Sequence, residues 1–121
     1  MYLIAVHHRY GCDMRGMLSF QIMWLLSKKP MHGEALAVEI GKRRGEKPKA
    51  GTLYPALKEL RSNGLIDGSK KGKMIVYRLT GTGERHLAGA VKYFCRSFGD
   101  VFESRESSWK EHAKRIAAKN V

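Results

Sequence analysis

Four side chains of metal-binding type stand out first in this 121-residue chain: His7, His8, Cys12 and Cys95. Their spacing matches no closed zinc pattern, and clustered histidines are commonly part of a polar arm, so neither a metal nor a cofactor is expected. No nucleophile stands with a partnered base, and no paired acids or phosphate-cradling glycine loop can be assembled. GTGERH lacks the strand and spacing such a loop requires. An enzyme is therefore not expected. The stretch that can do chemistry is GTLYPALKELRSNGLI, residues 51–66. At 3.6 residues per turn, Leu53, Ala56, Leu57 and Leu60 fall on one side, with Leu65 placed to cover the end. Gly51, Tyr54, Pro55, Lys58, Arg61 and Ser62 fall on the other. A DNA major groove accepts one helix, whose N-terminal residues reach base edges. Thr52, Tyr54, Pro55 and Lys58 occupy that end. They offer hydroxyls for phosphate or base, a ring for a thymine methyl or sugar, and a cation for phosphate or guanine. The free N–H groups of the first turn suit a phosphate oxygen. The plainer account is a solvated helix face with ordinary exposed charge.

The charge distribution counts against the plainer account. The formal net charge is +12, an excess most easily offset by a polyanion, nucleic acid before an anionic membrane. Residues 42–78 hold eleven Lys and Arg against three acids, and the segments on either side are far closer to balance. KRRGEKPK precedes the helix and SKKGK follows it. Lys47 and Lys49, Arg61 within the helix, and Lys70, Lys71 and Lys73 after it therefore join the DNA-binding set.

The elements that must position these residues can be read from the pattern. Residues 1–13 form an arm. Met14 to Lys29 is a nearly solid apolar run whose length favours an enclosed helix, with Phe20 and Trp24 in the core, stopped by Pro30. A turn at Pro30 to Gly33 leads into a helix from Glu34 to Arg44 with Leu36, Ala37 and Ile40 on one stripe, and His32 hydrogen-bonds at its start. EKPKAG interrupts regular structure. The quoted helix follows, with Thr52 as N-cap, Pro55 in the first turn and Gly64 at its end. Leu65 to Gly68 and Met74 to Leu79 make a hairpin with a basic Gly-, Ser- and Lys-rich tip. A last helix runs from Thr82 to at least Phe102. The fold class is mainly α with a small antiparallel β-hairpin: a winged helix-turn-helix over residues 14–80, with a C-terminal helix and tail over 81–121.

With these motifs in order, the chain resembles the PadR family of transcriptional regulators. The likeness rests on PMHG, on GTLYPALKELRSNGLI and on KGKMIVYRLTGTGERHL, and covers roughly residues 14–98. The resemblance implies a dimeric winged-helix repressor on a palindromic operator. It places Thr52, Tyr54, Pro55 and Lys58 at the recognition-helix positions and Lys70, Lys71 and Lys73 on the wing. It gives dimerisation to the C-terminal helix, and the shortness of that region resembles the smaller subfamily. Where the family commonly has Tyr-Glu after His-Gly, Glu34 and Ala35 stand here.

Leu87, Val91, Phe94, Phe98 and Val101 are spaced four, three, four and three, a coiled-coil seam that Phe102 joins. Two-fold dimerisation through it would set two recognition helices one turn of DNA apart. Trp109 and Ile116 continue the apolar face loosely, and Trp109 could line an effector pocket. Two distant cysteines make no disulfide framework and fit a reducing cytoplasm. MLSFQIMWLL is about half of what a membrane span requires. The expected function is a sequence-specific DNA-binding repressor acting as a homodimer on double-stranded DNA. The alternatives are an RNA-binding winged helix, which needs exposed aromatics such as Tyr54 and Tyr77, a protein-interaction winged helix, and an architectural protein that coats DNA without sequence preference.

Overall fold

A computed structural model describes residues 15–103, 114–116 and 118. The arm with His7, His8 and Cys12, and Trp109 in the tail, lie outside the described residues. The order is α1 (Arg15–Leu26), β1 (Met31–His32), α2 (Gly33–Arg44), α3 (Ala50–Ser62), β2 (Ile66–Lys71), β3 (Met74–Leu79) and α4 (Gly81–Glu103). Two compact units divide the chain, one through Ala88 and one from Gly89.

In α1 the residues at helical spacing Leu18, Ile22, Leu25 and Leu26 are buried. The stripe on the other side, Met17, Phe20, Gln21 and Trp24, is only partly covered. Trp24 is 40% exposed, with the Lys28 ammonium 4.0 Å from its ring centre. The expectations of a helix enclosed all round and of Trp24 in the core are thus corrected. An apolar sequence on every side cannot tell which stripe meets the core, and here a neighbouring cation covers the indole instead.

β1 replaces the turn expected at Pro30 to Gly33. Its two residues pair antiparallel with β3, Met31 opposite Tyr77 and His32 opposite Val76, so the sheet has three strands in the order β1-β3-β2. His32 then caps α2, its Nδ1 accepting the Ala35 N–H at 3.3 Å. Leu36, Ala37 and Ile40 are buried. Arg44 at the end of α2 donates from Nε to Gln21 Oε1 at 2.7 Å, joining α2 to α1.

The third helix starts earlier than expected. Lys49 is its N-cap and makes no side-chain capping bond, so Thr52 lies inside the helix and is not the cap. Its backbone N–H instead bonds to the Lys49 carbonyl at 2.9 Å. The earlier start puts Pro55 beyond the first turn, where its missing N–H leaves the Gly51 carbonyl without an i+4 donor. At the other end Gly64 adopts φ +73°. The Leu65 N–H reaches the Leu60 carbonyl and the Gly64 N–H reaches the Arg61 carbonyl, both at 3.0 Å. This is a Schellman closure, which favours glycine at the left-handed position. Leu65 is buried behind it.

β2 and β3 pair from Ile66 opposite Leu79 to Lys71 opposite Met74, leaving only Gly72 and Lys73 in the turn. Gly72 supplies the positive φ, +62°, that a two-residue hairpin needs. The basic stretch expected as a loose tip is therefore mostly strand. Thr80 joins the hairpin to α4: its Oγ1 accepts the Gly83 N–H at 3.0 Å and donates to the Gly64 carbonyl at 2.7 Å. The core of the first unit holds Leu18, Ile22, Leu36, Ile40, Leu53, Leu57 and Ile66, all essentially without solvent contact. Among the described residues, no helix is long and apolar enough to cross a membrane.

Candidate nucleic-acid interface

Leu53, Leu57 and Leu60 anchor α3 in the core at 1%, 1% and 4% exposure. Each is followed by an outward residue, because one step along an α-helix turns the side chain by about 100°. Tyr54, Lys58 and Arg61 are accordingly exposed, and Thr52, Pro55 and Ser62 are exposed with them. No hydrogen bond or ion pair among the described residues occupies the Lys58 or Arg61 side chain. Tyr54 is 47% exposed, with one edge of its ring over α2. A methyl group at Gly33, the first residue of α2, would lie 2.6 Å from the Tyr54 hydroxyl oxygen. The ring rests where glycine leaves room for it.

The basic stretch before α3 is partly neutralised within the fold. Glu39 pairs with Lys42 and Arg43 at 3.0 Å each, and Glu34 pairs with Lys47 at 2.6 Å. The hydrogen bond from Lys42, then that from Arg43, holds the Glu39 carboxyl below its ordinary range. Lys49 is exposed at the N-terminus of α3. Exposed pairs of this kind hold their partners weakly, so Lys47 can exchange Glu34 for a stronger anion.

On the wing, cross-strand partners share a face. Ile66 and Leu79, Gly68 and Tyr77, and Lys70 and Ile75 form one face; Lys71 and Met74 belong to the other, and Lys73 is in the turn. All three lysines are exposed. The face that carries Gly68 and Tyr77 meets the outward side of α3. A Cβ at Gly68 would sit 3.3 Å from Arg61 Cζ and 3.4 Å from Tyr77 Cδ1. Tyr54, Lys58, Arg61, Ser62 and Tyr77 together line a hollow of about 400 Å³. Tyr77 itself is only 5% exposed, which corrects its expected use as an exposed stacking aromatic. Burial pushes its phenol pKa up, with Arg61 acting the other way and Tyr54 adding to the rise. Period-two alternation already put Tyr77 on one face with Leu79 and was the signal that it points inward. Nothing in the spacing indicated Gly68 or the hollow.

In α4, Leu87 is 6% exposed, buried within its own chain, so it is withdrawn from the expected seam. At Gly83 the helix comes so close to the Leu65 carbonyl that a Cβ has no room, and Leu87, one turn later, fills the core there. From Gly89 onward Val91 and Phe94 are half-buried, and Phe98 and Val101 are 48% and 52% exposed. The Phe94 and Phe98 rings lie 5.2 Å apart. Phe102 is helical, and its side chain lies outside the described residues. Cys95 is a free, exposed thiol. Among the described residues no group of three or more His, Cys, Asp or Glu is placed to hold a metal ion.

Three short helices, a paired wing and a cationic outward face on the third helix define a winged-helix protein of the regulator type. The sequence model of the transcriptional regulator PadR-like family matches residues 22–89, more than half of the chain, and the chain belongs to that family. It is similar to a PadR family transcriptional regulator of Eggerthella lenta DSM 2243, with 28% identity, 75% of this chain and 86% of that one covered, and a TM-score of 0.58. It is also similar to a PadR family transcription regulator of hypervirulent Clostridium difficile R20291, with 26% identity, 73% and 96% covered, and a TM-score of 0.61. RosR of H. salinarum shares the fold at 23% identity, with 89% and 96% covered and a TM-score of 0.63. No curated protein matches the chain by sequence.

Proposed function

We propose that this transcriptional regulator is a cytoplasmic, sequence-specific repressor that binds a palindromic operator in double-stranded DNA as a homodimer. The observation that carries the reading is the outward face of α3. Thr52, Tyr54, Pro55, Lys58 and Arg61 are all exposed on it, and its cations are not spent on partners within the described fold. Thr52 and Tyr54 lie toward the N-terminal end of α3, the end that enters a major groove, and Lys58 follows one turn past Tyr54 on the same exposed face, so these three are the base-reading set. Lys47 and Lys49 ahead of the helix, and Lys70, Lys71 and Lys73 on the wing, meet phosphate and set register. Val91, Phe94, Phe98, Val101 and Phe102 bring two copies together and fix the half-site spacing. The burial of Tyr77 weakens the RNA alternative, because only Tyr54 is left to stack on an unpaired base.

The test is selection of bound duplexes from a random pool at stated salt, with single-stranded RNA as competitor. An inverted repeat with half-sites about one helical turn apart is expected. Recovery of sequences with no shared motif would reject base reading, and loss of all duplex to the RNA competitor would reject the duplex as target.

A further inference from the structure

We propose that the hollow where α3 meets the sheet seats one phosphate of the DNA backbone, with Tyr77 donating the hydrogen bond, Arg61 supplying the charge and Gly68 setting the position of Arg61. This rests on the DNA-binding reading above and adds to it a residue that sequence reasoning had assigned elsewhere.

Three observations carry it. Tyr77 is 5% exposed, yet among the described residues its hydroxyl has no hydrogen-bond partner. A buried phenol ordinarily finds one, and this one lines an open hollow. The rest of the lining is Tyr54, Lys58, Arg61 and Ser62: hydroxyls and cations with no carboxylate among them. Such a set suits a multiply accepting anion, which takes charge-assisted hydrogen bonds from guanidinium and hydroxyl alike. Finally, Gly68 stands directly across from Tyr77 in the β2–β3 register, and a Cβ there would press on Arg61 Cζ at 3.3 Å and on Ile75 Cγ2 at 2.9 Å. The guanidinium occupies the space the missing side chain leaves.

The occupant follows from place. Arg61 is near the C-terminus of α3, two turns past Tyr54, while base edges are met from the N-terminal end. At that distance the helix is leaving the groove and the wing begins, and Lys70 lies further out on the same sheet face as Tyr77. A backbone phosphate is the anion a duplex offers there.

The test compares binding to a selected operator and to an unrelated duplex. Tyr77→Phe should weaken both by the same factor, roughly tenfold for a hydrogen bond to a charged group, while the thermal midpoint stays level because the hydroxyl makes no hydrogen bond among the described residues. Arg61→Ala should lower the slope of log K against log salt by about one. Gly68→Ala, whose methyl would press on Arg61 Cζ at 3.3 Å, should weaken both duplexes less than Arg61→Ala does, and the double variant should be no weaker than Arg61→Ala alone; additive losses would overturn Gly68 as what positions Arg61. Duplex binding with Tyr77→Phe indistinguishable from wild type overturns the seat alone. A loss confined to the operator would make Tyr77 a base reader and also overturns it. Inorganic phosphate that binds wild type but not Tyr77→Phe, yet displaces duplex no better than chloride at equal ionic strength, overturns the DNA backbone as occupant. Wild-type protein that binds no duplex at all overturns the reading beneath.

Discussion

Gly33→Ala isolates what holds Tyr54 in place. Gly33 is the first residue of α2, and its backbone is not in the left-handed region, so alanine is conformationally acceptable. On that ground alone the substitution should stabilise by about 0.4–1 kcal/mol through the unfolded chain. The new methyl, however, meets the Tyr54 ring at 2.6–3.0 Å. The obstruction is the far end of a side chain that is 47% exposed, so the ring can swing into solvent. Full burial of a large side chain is worth about 1.5–3 kcal/mol, and roughly half of a ring is involved here, so about 1 kcal/mol of packing is lost. The two effects nearly cancel, and the urea midpoint should move by less than about 1 kcal/mol equivalent. Operator affinity should not be spared. A displaced Tyr54 forfeits its contact, and Gly33→Ala should reproduce most of the loss measured for Tyr54→Ala, with the double variant no weaker than Tyr54→Ala alone. In the Tyr54→Ala background the same Gly33→Ala change should become plainly stabilising. Duplex titration and urea unfolding of the four proteins read the whole cycle. Loss of several kcal/mol in Gly33→Ala would mean that the ring cannot move, and unchanged operator binding would mean that its position is irrelevant; each refutes the reasoning.

The other expected outcomes concern separate elements. Lys58→Ala should weaken operator binding by about 1–3 kcal/mol if the ammonium reads a base; equal loss on operator and random duplex would reassign it to phosphate. Lys71→Ala combined with Lys73→Ala should reduce the salt slope of binding by about two, and an unchanged slope would take the wing off the contact surface. Phe98→Asp changes an exposed residue of α4, so it should leave the first unit folded and yield monomer in sedimentation; an intact dimer would put the seam elsewhere. Gly64→Ala forces a left-handed residue at φ +73° and should destabilise by about 1–2 kcal/mol, with binding per folded molecule unaltered.

How much of this was legible varied with the physics of each element. The core stripe of α3 was plain, since leucines at three- and four-residue spacing leave few alternatives. Its start was not. Thr52 is of good capping type, but a cap is worth only about 1 kcal/mol, and the run from Ala50 enters the helix without one. β1 was invisible because two residues carry no alternation, and only the presence of β3 makes them a strand. Trp24 misled because a helix apolar on both sides does not announce which side is outward. Tyr77 was legible in half: alternation said inward, while the residue type suggested a stacking surface. The hollow itself was out of reach, since it exists only where residues 54–62 come up against 68 and 77, a juxtaposition no linear spacing records.

The pairing of core and outward residues along α3 constrains how its specificity can change. Leu53–Tyr54, Leu57–Lys58 and Leu60–Arg61 are each a buried residue followed by an exposed one. The leucines therefore fix the rotation of the helix about its axis, and with it the direction of every side chain offered to a groove. Truncating Leu57 would cost about 2–5 kcal/mol, a large part of what a domain of this size has to lose. It would also free the helix to turn, blurring several contacts at once. Changes at Thr52, Tyr54, Pro55 or Lys58 carry no such penalty, since these residues are exposed. Pro55 adds a further asymmetry. The backbone bond it deletes leaves the acceptor on Gly51, which is itself on the exposed side, where water can satisfy the carbonyl. The core side of α3 keeps its hydrogen bonds, and the irregularity is confined to the face that is free to vary.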